Sequence, residues 1–317
     1  MKLVERLFRL EAPSGLGAKP RPELIGPVLT HLRNTLRDSV RMGFLHSSRA
    51  KGRVSRRLNR AAEVRFIGHA AADHDATTLR FEVAEFGDVA SELFEQHQLW
   101  DDGPKPEETA FELLGAALND IRSRREESSR FDPMLLRRFA GYGRIIRRGA
   151  LDRIVLPDSL LSEQPRLDED VVAAAHALSD ATPKPHRVRV TGRLDVMGAS
   201  QGILKLHVAD GAHVTARWEG RESIEKLSTF FNRDVVCEGM GIFRPSGSLL
   251  RIDADALEAS TVHDSVFSRI PRAVPVTNVV RELRLRAGEP SAFSSFMESI
   301  PADESDAEFA AAVEAMS

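Results

Sequence analysis

Along the first 158 residues the period of the apolar positions changes repeatedly, and each change marks an element. Val4, Phe8 and Leu10 share one phase, as in a strand over residues 3–10. Pro13, Gly15, Gly17, Pro20 and Pro22 then break regular structure. Ile25, Leu29, Leu32, Leu36 and Val40 recur at three- and four-residue spacings, which predicts an amphipathic helix over 23–44 with Pro27 in its first turns. Strands are expected near 62–69 and 77–86, the second with Leu79, Phe81 and Val83 on one face. Helices are expected near 88–99 and 107–124, and a third from Asp132-Pro133, an aspartate cap followed by a first-turn proline. Gly141 and Gly143 weaken its middle, and residues 151–156 read as a short strand. Residues 1–158 are therefore expected to form an α+β domain of mixed sheet and helix. Residues 159–185 read as a linker, with one helix from Asp168 to Leu178 and a stiff Pro183-x-Pro185 spacer.

Beyond that spacer the pattern switches to strict alternation. In His186–Val196, Val188, Val190, Leu194 and Val196 hold one phase and Arg187, Arg189, Thr191 and Arg193 the other. Ile203–Val208 is a second strand, ended by the Asp210-Gly211 hairpin signal, and His213–Trp218 a third. Ile224, Leu227 and Phe231 sit at helical spacing, after which Asp234–Phe243 and Leu249–Ala254 return to strand. This order over residues 186–260, three strands, a helix and two strands, resembles the OB-fold, a five-stranded Greek-key barrel. Gly192, Gly239 and Gly241 suit the sharp coiling of a small barrel. An SH3-like barrel is the structural alternative, but it leaves the helix unexplained. The expected fold class is thus α+β, with an OB-like five-stranded barrel following the N-terminal domain.

Composition narrows the function classes. The 317 residues suit two domains, and 42% apolar with 29% charged residues is ordinary for a globular chain. A formal net charge of −3 supplies no global field, so any attraction to a polyanion must be local. The single cysteine, Cys237, excludes an internal disulfide and reads as a small buried hydrophobe. Glu5 and Arg6 interrupt the apolar core a signal peptide needs, and no run approaches the ~18 apolar residues of a membrane helix. A cytoplasmic protein with no membrane partner is the expectation. The preference for Arg over Lys points to a high-GC bacterial genome.

The OB resemblance implies a ligand face on strands two and three and the adjoining loops. With the valines and leucines inward, Arg187, Arg189, Arg193, Lys205, His207, His213 and Arg217 face outward, a basic set suited to a phosphate backbone. The same polar face is what any solvated barrel presents. Single-strand binders usually add aromatic stacking platforms. Here Trp218 has the inward phase and Phe243 is the other candidate. A second basic stretch, Arg49, Lys51, Arg53, Arg56, Arg57, Arg60 and Arg65, reads as a solvated loop, a dock for an acidic partner or a nucleic-acid arm.

His69, Asp73, His74 and Asp75 are metal-capable, but short polar residues between two strands make turns anyway. Ser223 and Lys226 match a Ser-x-x-Lys spacing without its companion motifs. No metal, cofactor or catalytic residue is assigned, so a non-enzymatic nucleic-acid-binding protein is the first reading and an enzyme of unrecognised type the third.

The second reading comes from residues 261–317, expected as an irregular segment and tail. From Glu298 onward six acidic residues and no basic ones surround a Ser305/Glu308 capping box, and Phe309, Val313 and Met316 share one side of the helix it would start. This tail is similar to the acidic ends of bacterial antitoxins and of proteins encoded beside small nuclease toxins. The resemblance implies capture of a protein partner through Phe309, Val313 and Met316.

The alternation makes one prediction about stability. Val190→Asp places an unpaired carboxylate in the barrel's inward row. The barrel should then fail to fold, seen as loss of the cooperative β-sheet transition in far-UV circular dichroism. A native-like melt would contradict the inward assignment.

Overall fold

The computed structural model describes residues 2–12, 21–49, 55–73, 76–91, 94, 103–146, 151–156, 161, 163–198, 202–220 and 224–274. Its N-terminal part is a five-stranded sheet backed by helices. β1 is Leu3–Glu11, β2 Val64–Asp73, β3 Ala76–Ala84, β4 Arg153–Val155 and β5 Arg166–Asp168, in the order β2-β3-β1-β4-β5 with every pair antiparallel. The helices are α1 Pro22–Leu45, α2 Arg56–Ala61, α3 Phe86–Val89, α4 Ala110–Arg122, α5 Pro133–Ala140, α6 Gly143–Ile146 and α7 Glu169–Ala181.

The period-two pattern of β1 builds this arrangement. Arg6, Phe8 and Leu10 turn to the helices and are buried, while Glu5, Arg9 and Glu11 lie on the open face. There they pair with charges, Glu5 with Arg80 at 2.6 Å and Glu11 with Arg9 and Arg153. α1 contributes Val28, Leu32, Leu36 and Val40 to the core, each all but inaccessible. A buried Leu or Val stabilises by roughly 1.5–3 kcal/mol, so this face alone fixes the helix on the sheet. Arg6 is the polar member of the buried row. Its Nε lies 3.0 Å from Glu112 Oε1, and Glu112 Oε2 accepts from the backbone N–H and hydroxyl of Thr109 at the start of α4. One carboxylate thus closes a capping box and neutralises a buried guanidinium.

Residues 159–185 contribute to this core. β5 adds an edge strand, and Val171, Val172, Ala174, Ala175 and Leu178 of α7 are buried with the other helices. The helix expected at 88–99 is described only as α3 and a few residues beyond it.

The second part is a closed barrel. β6 is His186–Gly198, β7 Ile203–His207, β8 His213–Trp218, β9 Asp234–Phe243 and β10 Leu249–Ala259. They close in the order β10-β8-β7-β6-β9, with β9 returning to β10 and the β8–β10 pair parallel. This is the OB-like topology expected from the element order. Val188, Val190, Leu204, Leu206, Val208, Val214 and Ala216 all point inward and are buried, and Trp218 is partly buried against them. Gly239 is required by closure, since a Cβ there would sit 2.2 Å from the Asp253 carbonyl oxygen.

The predicted barrel helix is a 3₁₀ segment, Ile224–Phe230. Three residues per turn aligns Phe230, not Phe231, with Leu227. Leu227 is buried, Phe230 packs on the core, and Phe231, expected on the buried stripe, is 51% exposed.

The barrel and the helical part share buried structure. Ile242 of β9 and Leu250 of β10 belong to the core of the N-terminal helices. Between them Arg251 is only 5% exposed. Its Nε donates to Asp253 Oδ1 at 2.8 Å, and its Nη1 donates to the His46 carbonyl at 2.9 Å and reaches Asp132 Oδ2 at 3.5 Å. Asp132 caps α5 through the N–H groups of Met134 and Leu135 and accepts from the Ser48 N–H and hydroxyl.

Arg251→Ala should therefore remove about 3–5 kcal/mol of unfolding free energy, because the buried Asp132, the part-buried Asp253 and a carbonyl lose one donor at once. Urea unfolding measures it, and a loss under ~1 kcal/mol would mean the junction carries little of the stability.

Candidate nucleic-acid interface

The seven basic residues singled out on the barrel fall into two groups, three on β6 and four on β7 and β8. Arg187, Arg189 and Arg193 lie on β6, which the barrel pairs with β9. Arg189 stands opposite Glu238 and Arg187 diagonal to it. Glu238 accepts from Arg187 Nη2 at 2.8 Å and from Arg189 Nε at 2.6 Å. A bulge in β10 turns Asp255 outward, where it takes two further bonds from Arg187 at 3.0 Å. Arg193 donates to Asp195 Oδ1 on its own strand at 2.8 Å, and the Arg189 guanidinium sits 5.6 Å from the Phe267 ring.

These pairs move the groups' affinities for protons. Hydrogen bonds from Arg187 and then Arg189 hold the Glu238 carboxyl below its ordinary value of 4.5. Glu238 and Asp255 in turn raise Arg187, and Asp195 raises Arg193. All three arginines are half exposed, so solvent screens each pair and its contribution to stability is small. Their charge is nevertheless matched locally.

Lys205, His207 and Arg217 lie on β7 and β8, strands without a single carboxylate. Lys205 stands opposite Thr215, and His207 opposite His213 with ring centroids 5.1 Å apart. Arg217 donates from Nη1 to the Arg49 carbonyl at 2.8 Å. Beside β8 opens a groove of about 610 Å³ bordered by His213, Thr215, Arg244, Arg269 and Arg272, with Glu127 and Asp210 as its carboxylates. Arg272 reaches Glu127 at 3.7 Å, while burial depresses the pKa of Arg244, which donates to the Leu249 carbonyl.

Neither aromatic considered for stacking is available. Phe243 is 1% exposed and stacks on His186 at 4.5 Å, and Trp218 packs on the barrel core. Cys237 is fully buried opposite Val190, and burial pushes its thiol up to about 12, so it acts as a hydrophobe.

The other motifs divide as follows. Of the metal-capable group, His69 and Asp73 belong to β2 rather than to a turn, while His74 and Asp75 lie outside the described residues. No group of three metal-ligating side chains occurs among the described residues. Lys51, Arg53, Ser223 and the tail residues Phe309, Val313 and Met316 also lie outside them. No described helix is long and apolar enough to cross a membrane. Compared with protein-family models, curated proteins and solved structures, the chain matches none.

The depressed Glu238 carboxyl gives a signed pH dependence. Its contribution is complete above its unfolded pKa near 4.5 and fades as pH falls through its lower folded value. Glu238→Gln should cost under about 1 kcal/mol at pH 7, and the difference from the parent should shrink as pH falls from 4.5 toward and through the lowered folded value. Parallel urea titrations across that range test this, and a difference that widened in acid would reverse the assignment.

Proposed function

We propose that this chain binds single-stranded nucleic acid through the β7–β8 face of its OB-like barrel. One observation carries the reading: Glu238 and Asp255 each bond arginines of β6, while Lys205, His207, His213 and Arg217 share two strands that carry no carboxylate of their own, and Asp253, opposite Arg217 on β10, bonds Arg251. The groove beside β8 extends that surface with Arg244, Arg269 and Arg272. Positive groups in a row along a groove suit a phosphate backbone, whose neutralisation releases counterions and makes binding salt-dependent. The fold adds only analogy, because similar barrels carry many functions.

The test is fluorescence anisotropy with a labelled single strand longer than the ~16 nucleotides one such barrel covers. Lys205→Ala with Arg217→Ala should weaken binding and reduce the slope of log affinity against log salt by roughly 1.4, about 0.7 for each lost contact. Arg187→Ala with Arg189→Ala should change that slope far less. Equal effects from the two pairs, or no binding by the parent at low ionic strength, would refute the proposal.

A further inference from the structure

A second basic surface lies on the N-terminal part. A groove of about 750 Å³ opens between α1, α2 and the β2–β3 pair, walled by Arg33, Arg37, Arg41 and Arg56 on one side and by Phe66 on the other, with Glu63 its lining carboxylate. Arg33, Arg37 and Arg41 follow one another at i, i+4 and i+8, so they line one face of α1 over roughly 12 Å. The helix does not need them there. Its buried stripe is carried by Val28, Leu32, Leu36 and Val40, and like charges four residues apart destabilise a helix by about 0.2–0.5 kcal/mol per pair.

The compensation within the protein is partial. Asp38 serves Arg138 at 2.8 Å and Arg41 at 3.6 Å. Among the described residues, neither Arg33 nor Arg37 has a carboxylate within ion-pair distance. The Arg41 side chain is 15% exposed and its Nε has no hydrogen-bond partner. Burial disfavours its charged form, and Arg37, Arg138 and Arg217 add to that effect against Asp38. A largely desolvated, incompletely bonded guanidinium gains more from an incoming anion than a hydrated one does.

The groove is also lined by an aromatic, Phe66 of β2. The β2–β3 register slips between Phe66 and Gly68, and Gly68 takes φ +150°. A bulge of this kind re-aims side chains. Phe66 is 45% exposed and Ile67 42%, while the Phe66 ring stays seated on Phe81 at 5.6 Å between centroids. A half-exposed ring in tilted contact with Phe81, lining the same groove as a row of arginines, is a combination that can stack on a base and pair with phosphates.

We infer that this groove is a binding site for a single-stranded nucleic acid, with Arg33, Arg37, Arg41 and Arg56 on the phosphates and Phe66 stacked on a base. The site uses none of the barrel residues proposed above. It adjoins them, because Arg217 of β8 is bonded to Arg49, four residues beyond α1.

The same anisotropy titration on the full chain tests it with two sets of variants. Arg33→Ala with Arg37→Ala should lower the salt slope by roughly 1.4. Phe66→Leu, which keeps the apolar bulk over Phe81, should weaken binding about tenfold at every salt concentration, the size of one lost stacking contact. Thermal melts of each variant confirm that it folds, and Arg33→Lys with Arg37→Lys, which preserves charge, should restore most of the slope. If the groove variants weaken binding and Lys205→Ala with Arg217→Ala does not, the groove stands and the barrel reading fails. If only the barrel pair matters, the groove is overturned and the barrel reading stands. If Phe66→Leu binds like the parent, or poly-glutamate binds as tightly as the oligonucleotide, the groove is a general anion or acidic-protein site and the nucleic-acid assignment is overturned.

Discussion

Arg251 is the constraint around which the two halves of the molecule are arranged. A guanidinium cannot shed its proton to escape burial, so a 5% exposed arginine must be met by acceptors wherever the fold takes it. Its own strand provides only Asp253. The other acceptors, the His46 carbonyl and Asp132, come from the end of α1 and the start of α5. His46 adopts the left-handed conformation at φ 51°, an uncommon state for a residue with a side chain, at the point where α1 turns toward the barrel. Sliding the barrel away would strip Arg251 of these acceptors and expose Ile242 and Leu250 as well. Consistent with this, residues 1–274 form one compact unit.

That rigidity matters for both basic surfaces. The Asp132 carboxylate caps α5, holds Ser48 and meets Arg251, so a single buried group ties the C-terminal end of α1 to β10. β10 is hydrogen-bonded to β8, which carries Arg217. The position of Arg217 relative to the arginines of α1 is therefore set by packed structure at both ends. A preorganised row of cations loses little entropy on meeting a polyanion.

Legibility from sequence followed the range of the interactions involved. The seven inward residues of β6, β7 and β8 were readable because alternation is local and closure buries that phase; it fails at Val196, where a bulge after Leu194 shifts the register and Met197 packs on the core instead. The aspartate cap at Asp132 and first-turn Pro133 marked α5 for the same reason. What was not readable depends on partners far along the chain. Nothing local pairs Arg6 with Glu112 or Arg251 with Asp132. β5 is three residues long and acquires meaning only from its pairing with β4. Phe66 gave no signal, since its half-exposed place beside α1 depends on the packing of elements distant in the chain.

The charges of the barrel follow the same logic and decide which surface can serve a polyanion. Counted strand by strand, β6 is the most basic strand of the barrel. Closure, however, lays β6 along β9, and antiparallel register puts Glu238 within reach of two of its three arginines. The neighbour of β7 is β8, which brings histidines and an arginine instead. A near-neutral chain can thus hold basic faces that differ in how closely carboxylates approach them, sorted by strand pairing rather than by composition. Along α1, neither Arg33 nor Arg37 has a carboxylate within ion-pair distance among the described residues, so a phosphate arriving there need not first displace one.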